Sequence, residues 1–79
     1  MSRNHIVGAR VREARLKYGP KFTQIDLAAR LQTEGLDIDN TMISKIESGD
    51  RDASPTELYT IAKTLKVSPN WLLDFTEEK

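Results

Sequence analysis

The chain contains no cysteine, so neither a disulfide framework nor a thiolate metal site can brace it, and nothing in it points to an oxidising compartment. Long apolar runs are missing as well: hydrophobic residues never exceed three in succession, as in Leu27-Ala28-Ala29 and Trp71-Leu72-Leu73. That excludes a membrane span or a secretory apolar segment within the chain, and the expectation is a soluble, cytoplasmic protein. Net charge is absent too, because twelve Lys and Arg balance twelve Asp and Glu; a protein that grips polyanions by bulk charge is not expected to look like this. With 79 residues there is room for a single domain whose core, expected over about residues 5–75, must rest on packing alone.

Catalytic equipment is equally sparse. His5 is the only histidine, and no glycine-rich phosphate loop is present, so no enzyme, cofactor or metal site is expected. Asp37-x-Asp39 and Asp50-x-Asp52 look briefly like the starts of calcium loops. Both have the wrong residue at the sixth position, Met42 and Pro55 in place of glycine, which makes these aspartates turn and cap residues.

What is present is a polarised charge pattern. Residues 1–31 carry seven basic side chains (Arg3, Arg10, Arg12, Arg15, Lys17, Lys21, Arg30) against two acidic ones, and residues 32–79 carry five against ten. A segregated basic end can form a local patch even when the total is zero, although charged, solvated helix faces would produce the same count.

Glycine and proline read as punctuation (Gly8, Gly19-Pro20, Gly35, Gly49, Pro55, Pro69), and between them the apolar residues recur at three and four rather than two, the period of helices. A first helix is predicted from about Asn4 to Tyr18, with Val7, Val11, Ala14 and Tyr18 on its inner stripe and a basic outer face, stopped by Gly19-Pro20. The second starts at Thr23, which with Asp26 forms a capping box, buries Leu27, Ala28 and Leu31, and runs to about Glu34, where Gly35 can take the left-handed conformation. Asp39 caps a short third helix with Ile43 and Ile46 inward, ending at Gly49. Ser54-Pro55 and Ser68-Pro69 each place a capping hydroxyl before a proline at the first helical position. Leu58, Ile61, Ala62 and Leu65 form the stripe of the fourth helix, and Val67, Trp71 and Leu72 close the fifth. No strand-like alternation and no repeat interrupts this all-α pattern of five helices.

Taken together, Arg10-Val11-Arg12-Glu13-Ala14-Arg15, Phe22-Thr23-Gln24 with Leu27-Ala28-Ala29-Arg30-Leu31, and Ile43-Ser44-Lys45-Ile46-Glu47-Ser48-Gly49 resemble the Cro and phage-repressor type of helix-turn-helix DNA-binding domain, the xenobiotic-response-element family. Pro55, Glu57-Leu58, Ile61-Ala62-Lys63, Leu65 and Val67-Ser68-Pro69-Asn70-Trp71-Leu72-Leu73 extend the resemblance to nearly the whole chain. Each piece alone is common; their order and spacing together are specific. The chain departs from the family pattern at Tyr18-Gly19-Pro20-Lys21-Phe22, which is about two residues longer, and at Gln32-Thr33-Glu34-Gly35-Leu36, where about five residues enlarge the turn. A lengthened second helix and a wider connection, with Leu36 or Ile38 folded back on the core, are therefore expected.

The resemblance implies a compact lambda-repressor-like fold in which helices two and three form the motif and the third enters the major groove of double-stranded DNA. Asn40, Thr41, Ser44 and Lys45 are then the expected base-contacting residues: an amide suits adenine, a lysine suits guanine O6 and N7, and the threonine methyl suits thymine. Gln24, Lys21, Arg12, Ser48 and Arg51 are the expected phosphate contacts, which position without specifying. Arg15 and Glu47 correspond to a structural ion pair between the first and third helices. Trp71, Leu72, Leu73 and Phe75 are expected to form a homodimer contact, and repression by operator occupancy is the expected function. The competing readings are a helix-turn-helix fold used as a protein-interaction module, and an antitoxin whose acidic half or apolar C-terminal end binds a toxin.

Overall fold

Local signals build the helix starts. In the computed structural model, which describes residues 3–73, the chain forms α1 (Arg3–Tyr18), α2 (Gln24–Thr33), α3 (Asn40–Ser48), α4 (Pro55–Leu65) and α5 (Pro69–Leu72), with no strand among those residues. The Thr23 hydroxyl accepts from the Asp26 N–H while the Asp26 carboxylate accepts from the Thr23 N–H, and Ser54 and Glu57 repeat this reciprocal box at α4. Asp39 accepts from the Met42 N–H at α3, and Ser68 accepts from the N–H groups of Asn70 and Trp71 at α5. Each cap satisfies donors that the first helical turn cannot.

The ends are equally local, with one exception. Gly49 ends α3 with φ +86, a left-handed geometry that glycine adopts without steric penalty. Helix α4 ends on Lys66 at φ +63, an ordinary side chain in the conformation for which the sequence offers no glycine.

The stripes meet as one core. Val7, Val11 and Ala14 from α1 pack with Leu27, Ala28 and Leu31 from α2, and with Ile43 and Ile46 from α3. Leu58, Ile61, Ala62 and Leu65 from α4 close it below. Removing each Leu or Ile side chain from water contributes about 1.5–3 kcal/mol, the source of stability in a fold without cross-links.

The enlarged turn is ordered. Helix α2 stops at Thr33, with Glu34 as its C-cap and Gly35 at φ +95. The Leu36 N–H then bonds back to the Leu31 carbonyl at 3.1 Å, and the Gln32 amide donates to the Ile38 carbonyl at 2.8 Å. Ile38 is only 2% exposed and sits in the core, with Leu36 packed at its margin. The inserted residues thus carry their own anchor and hand α3 a fixed starting point.

Two expectations are corrected. Gly8 is not punctuation: it lies inside α1, where a Cβ would fall 2.6 Å from the Glu47 carbonyl oxygen and closer still to that of Ile46. It is the point at which α1 crosses the backbone of α3. Leu72 is not available to a partner, because it is fully buried among the core side chains; four residues of α5 leave only one inward position, and Leu72 occupies it. Trp71 is half-buried beneath α1, where the Arg10 guanidinium lies 5.1 Å from its ring centre and donates to its carbonyl at 2.6 Å. Phe75 lies outside the described residues.

Candidate nucleic-acid interface

Helix α3 has two faces with opposite composition. Ile43 and Ile46 are fully buried and Met42 is half-buried, so the 3.6-residue period turns Asn40, Thr41, Ser44, Lys45 and Ser48 outward. All five are exposed. Among the described residues no protein group bonds to the side chains of Asn40, Thr41, Ser44 or Lys45, whereas Ser48 donates its hydroxyl to the Lys45 carbonyl at 3.1 Å. The result is a short helix presenting amide, hydroxyl and ammonium groups to solvent.

A charge network fixes the orientation of that helix. Arg15 of α1 donates to both oxygens of Glu47 on α3, Nε to Oε2 at 2.8 Å and Nη2 to Oε1 at 3.1 Å, while its Nη1 donates to the Phe22 carbonyl at 2.8 Å. The expected ion pair is present, with side chains only 9% and 3% exposed. Gln24, the first residue of α2, donates its Nε2 to Glu47 Oε1 at 2.9 Å. A carboxylate accepts only, so the amide must turn its nitrogen inward and its oxygen away. One carboxylate therefore ties α1, α2 and α3 together, a role for Glu47 wider than the two-residue pair expected from the sequence.

The other basic candidates divide. Arg12 and Lys21 are exposed. Arg51 is committed to Glu57 through two parallel bonds, Nη1 to Oε1 at 3.0 Å and Nη2 to Oε2 at 2.9 Å. These bonds hold the Glu57 carboxyl below the usual carboxylate range against the opposing effect of burial, with the Ser54 backbone and hydroxyl assisting. Because the folded value lies below the unfolded one, near 4.3, the interaction stabilises the fold above that pH and is lost as pH falls through the folded value. Urea unfolding followed from pH 7 to pH 3 should accordingly show wild type and Glu57→Gln converging below about pH 4; a stability gap independent of pH would contradict it.

Acidic groups flank the outward face. Asp37 and Asp39 precede α3, Asp50 and Asp52 follow it, and all four are exposed. Past the end of α3 a groove of about 360 Å³ opens between Val7, Ile46, Leu58, Tyr59 and Leu73, with Arg51 and Asp52 at its lining. Tyr59 is 62% exposed at its edge. Among the described residues no group of His, Asp or Glu is placed to hold a metal, and no helix is long and apolar enough to cross a membrane.

Comparison with known proteins agrees with this geometry. A family profile described as helix-turn-helix matches residues 11–72. Control protein C.BamHI of Bacillus amyloliquefaciens is 42% identical over 67 residues, covering 78% of this chain and 83% of that protein. The HTH-type transcriptional regulator DicA of Escherichia coli (strain K12) is 32% identical over 78 residues, 99% of this chain, which spans 53% of the length of that regulator. No solved structure matches the chain.

Proposed function

The chain belongs to the Cro and phage-repressor type of helix-turn-helix family of DNA-binding transcription regulators, and on that premise we propose that it acts as a homodimeric repressor occupying an inverted-repeat operator in duplex DNA. The observation that carries the reading is the outward face of α3, four unengaged polar side chains on a helix whose inner face and Glu47 lock it to α1 and α2. Asn40 can bond adenine N6 and N7, Lys45 can reach guanine O6 and N7, the Thr41 methyl can touch a thymine methyl, and Ser44 can serve either donor or acceptor. Arg12, Lys21 and Ser48 are assigned to phosphates. Gln24 adds the outer half of its amide and Arg51 lies at the far end of the helix, its guanidinium shared with Glu57.

A dimer would place two copies of α3 about 34 Å apart, one turn of the duplex. With Leu72 in the core, the second copy is assigned to the groove edged by the exposed Tyr59 and by Leu73. No catalytic, cofactor or metal role belongs to this reading, and its setting is the cytoplasm. The acidic flanks of α3 favour a second reading, a protein-interaction or antitoxin module with a partner such as a toxin.

The experiment is selection of the purified chain against random duplex DNA at moderate salt, with Asn40→Ala/Lys45→Ala as control. An inverted repeat with half-sites about one helical turn apart, bound with an affinity that falls steeply as salt rises, is the expected outcome. Retention no better than the control would move the search to protein partners.

A further inference from the structure

Asp39 has two carboxylate oxygens and the fold uses one. Its Oδ1 accepts from the Met42 N–H at 2.9 Å, which pins the side chain at the leading end of α3. Its Oδ2 has no hydrogen-bond partner and no pairing Lys or Arg among the described residues, and the residue is exposed next to Asn40. A carboxylate beside a reading helix is repelled by phosphate and costs affinity, a cost that a base-edge donor would offset.

We infer that Asp39 is a specificity-determining residue of the α3 reading face, its free Oδ2 accepting from the exocyclic N4 amine of a cytosine in the major groove. The inference rests on the DNA-reading role assigned above to α3. The choice of base follows from groove chemistry. Guanine offers two acceptors, O6 and N7, and thymine offers O4, all of which repel a carboxylate. Adenine pairs its N6 donor with an adjacent N7 acceptor, a pattern that suits an amide. Cytosine presents a donor without that neighbouring acceptor. Capping also preorganises the contact, because the bond to Met42 holds the carboxylate before DNA arrives.

Asp37 is the internal control. It is exposed two residues earlier, carries the same charge and makes no bond to α3. The test is parallel selection from one random duplex pool with wild type, Asp39→Ser, Asp39→Asn and Asp37→Asn, each verified as folded by thermal melting. Serine keeps a capping oxygen without the carboxylate, and asparagine keeps the cap while adding a donor.

In the wild-type motif one position per half-site should favour cytosine by about tenfold. Asp39→Ser should reduce that preference to less than about twofold with the other positions retained, and Asp39→Asn, whose outward atom becomes a donor while its oxygen keeps the cap, should turn it toward guanine, which offers O6 and N7. Asp37→Asn should leave every position unchanged while overall affinity rises. A cytosine preference that survives Asp39→Ser, or that disappears equally in Asp37→Asn, overturns the assignment. A wild-type chain that enriches no sequence at all removes the DNA-reading role itself, and this inference with it.

Discussion

Gly8→Ala should unfold the protein at markedly lower urea than wild type, with a loss of about 3 kcal/mol or more, the upper end of overpacking penalties. Taken by itself the substitution improves a helix, since alanine is favoured over glycine by about 1 kcal/mol in a helix interior. Here the added methyl would stand 2.6 Å from the carbonyl oxygen and 2.9 Å from the carbonyl carbon of Glu47, and nearer still to the Ile46 oxygen. These are backbone atoms within α3, so no rotamer change can make room. α1 and α3 must separate, and Val7, Val11, Ile43 and Ile46 lose contact along the seam. A domain of this size has roughly 4–12 kcal/mol of total stability at about 0.05–0.15 kcal/mol per residue, so the loss is a large fraction of the whole. Gly35→Ala supplies the comparison: nothing lies within 4 Å of its Cβ position, and only φ +95 opposes the change, a penalty of about 1–2 kcal/mol. Equal losses at the two sites would show that close approach at Gly8 is not what matters.

Arg15→Met should be comparably damaging, by about 3–5 kcal/mol, because it strands a buried carboxylate. Glu47 is 3% exposed in its side chain and receives two of its three hydrogen bonds from Arg15, leaving the single bond from Gln24 after the substitution. The Phe22 carbonyl loses its donor at the same time. A buried ion pair differs from a collection of contacts in that removing both charges is far milder than removing one. Arg15→Met/Glu47→Met should therefore regain most of the stability lost in Arg15→Met, as read from urea midpoints. The double variant also releases Gln24 from α3, so DNA affinity should remain low even where stability returns. If the double variant is as unstable as the sum of the singles, the pair is not acting as a desolvated unit.

Residues that act on their near neighbours are legible in the sequence itself. Thr23, Asp39, Ser54 and Ser68 each cap a helix within three residues of themselves, and Gly35 and Gly49 each reverse the chain where they stand. The apolar stripes identify the buried positions of α2, α3 and α4 because a 3.6-residue period places them on one side whatever lies opposite. Asn40, Thr41, Ser44 and Lys45 follow as the complement of Ile43 and Ile46 on the same short helix. Lys66 is not legible at all, since a lysine carries no sign of a left-handed backbone.

Gly8 carries a signal that the punctuation reading obscures: a glycine in the middle of a helical pattern needs a reason, and the reason is another helix. Helix number, helix starts and the polar face of α3 are written in the chain, because the forces behind them reach no further than one helical turn. The crossing at Gly8, the choice of Ile38 over Leu36 as the buried anchor, the assignment of Leu72 to the core and not to a partner, and the addition of Gln24 to the Arg15–Glu47 pair come from the assembled molecule. Each depends on which element lies on the far side of a contact, and residues 32 positions apart, as Arg15 and Glu47 are, meet only when three helices have already packed.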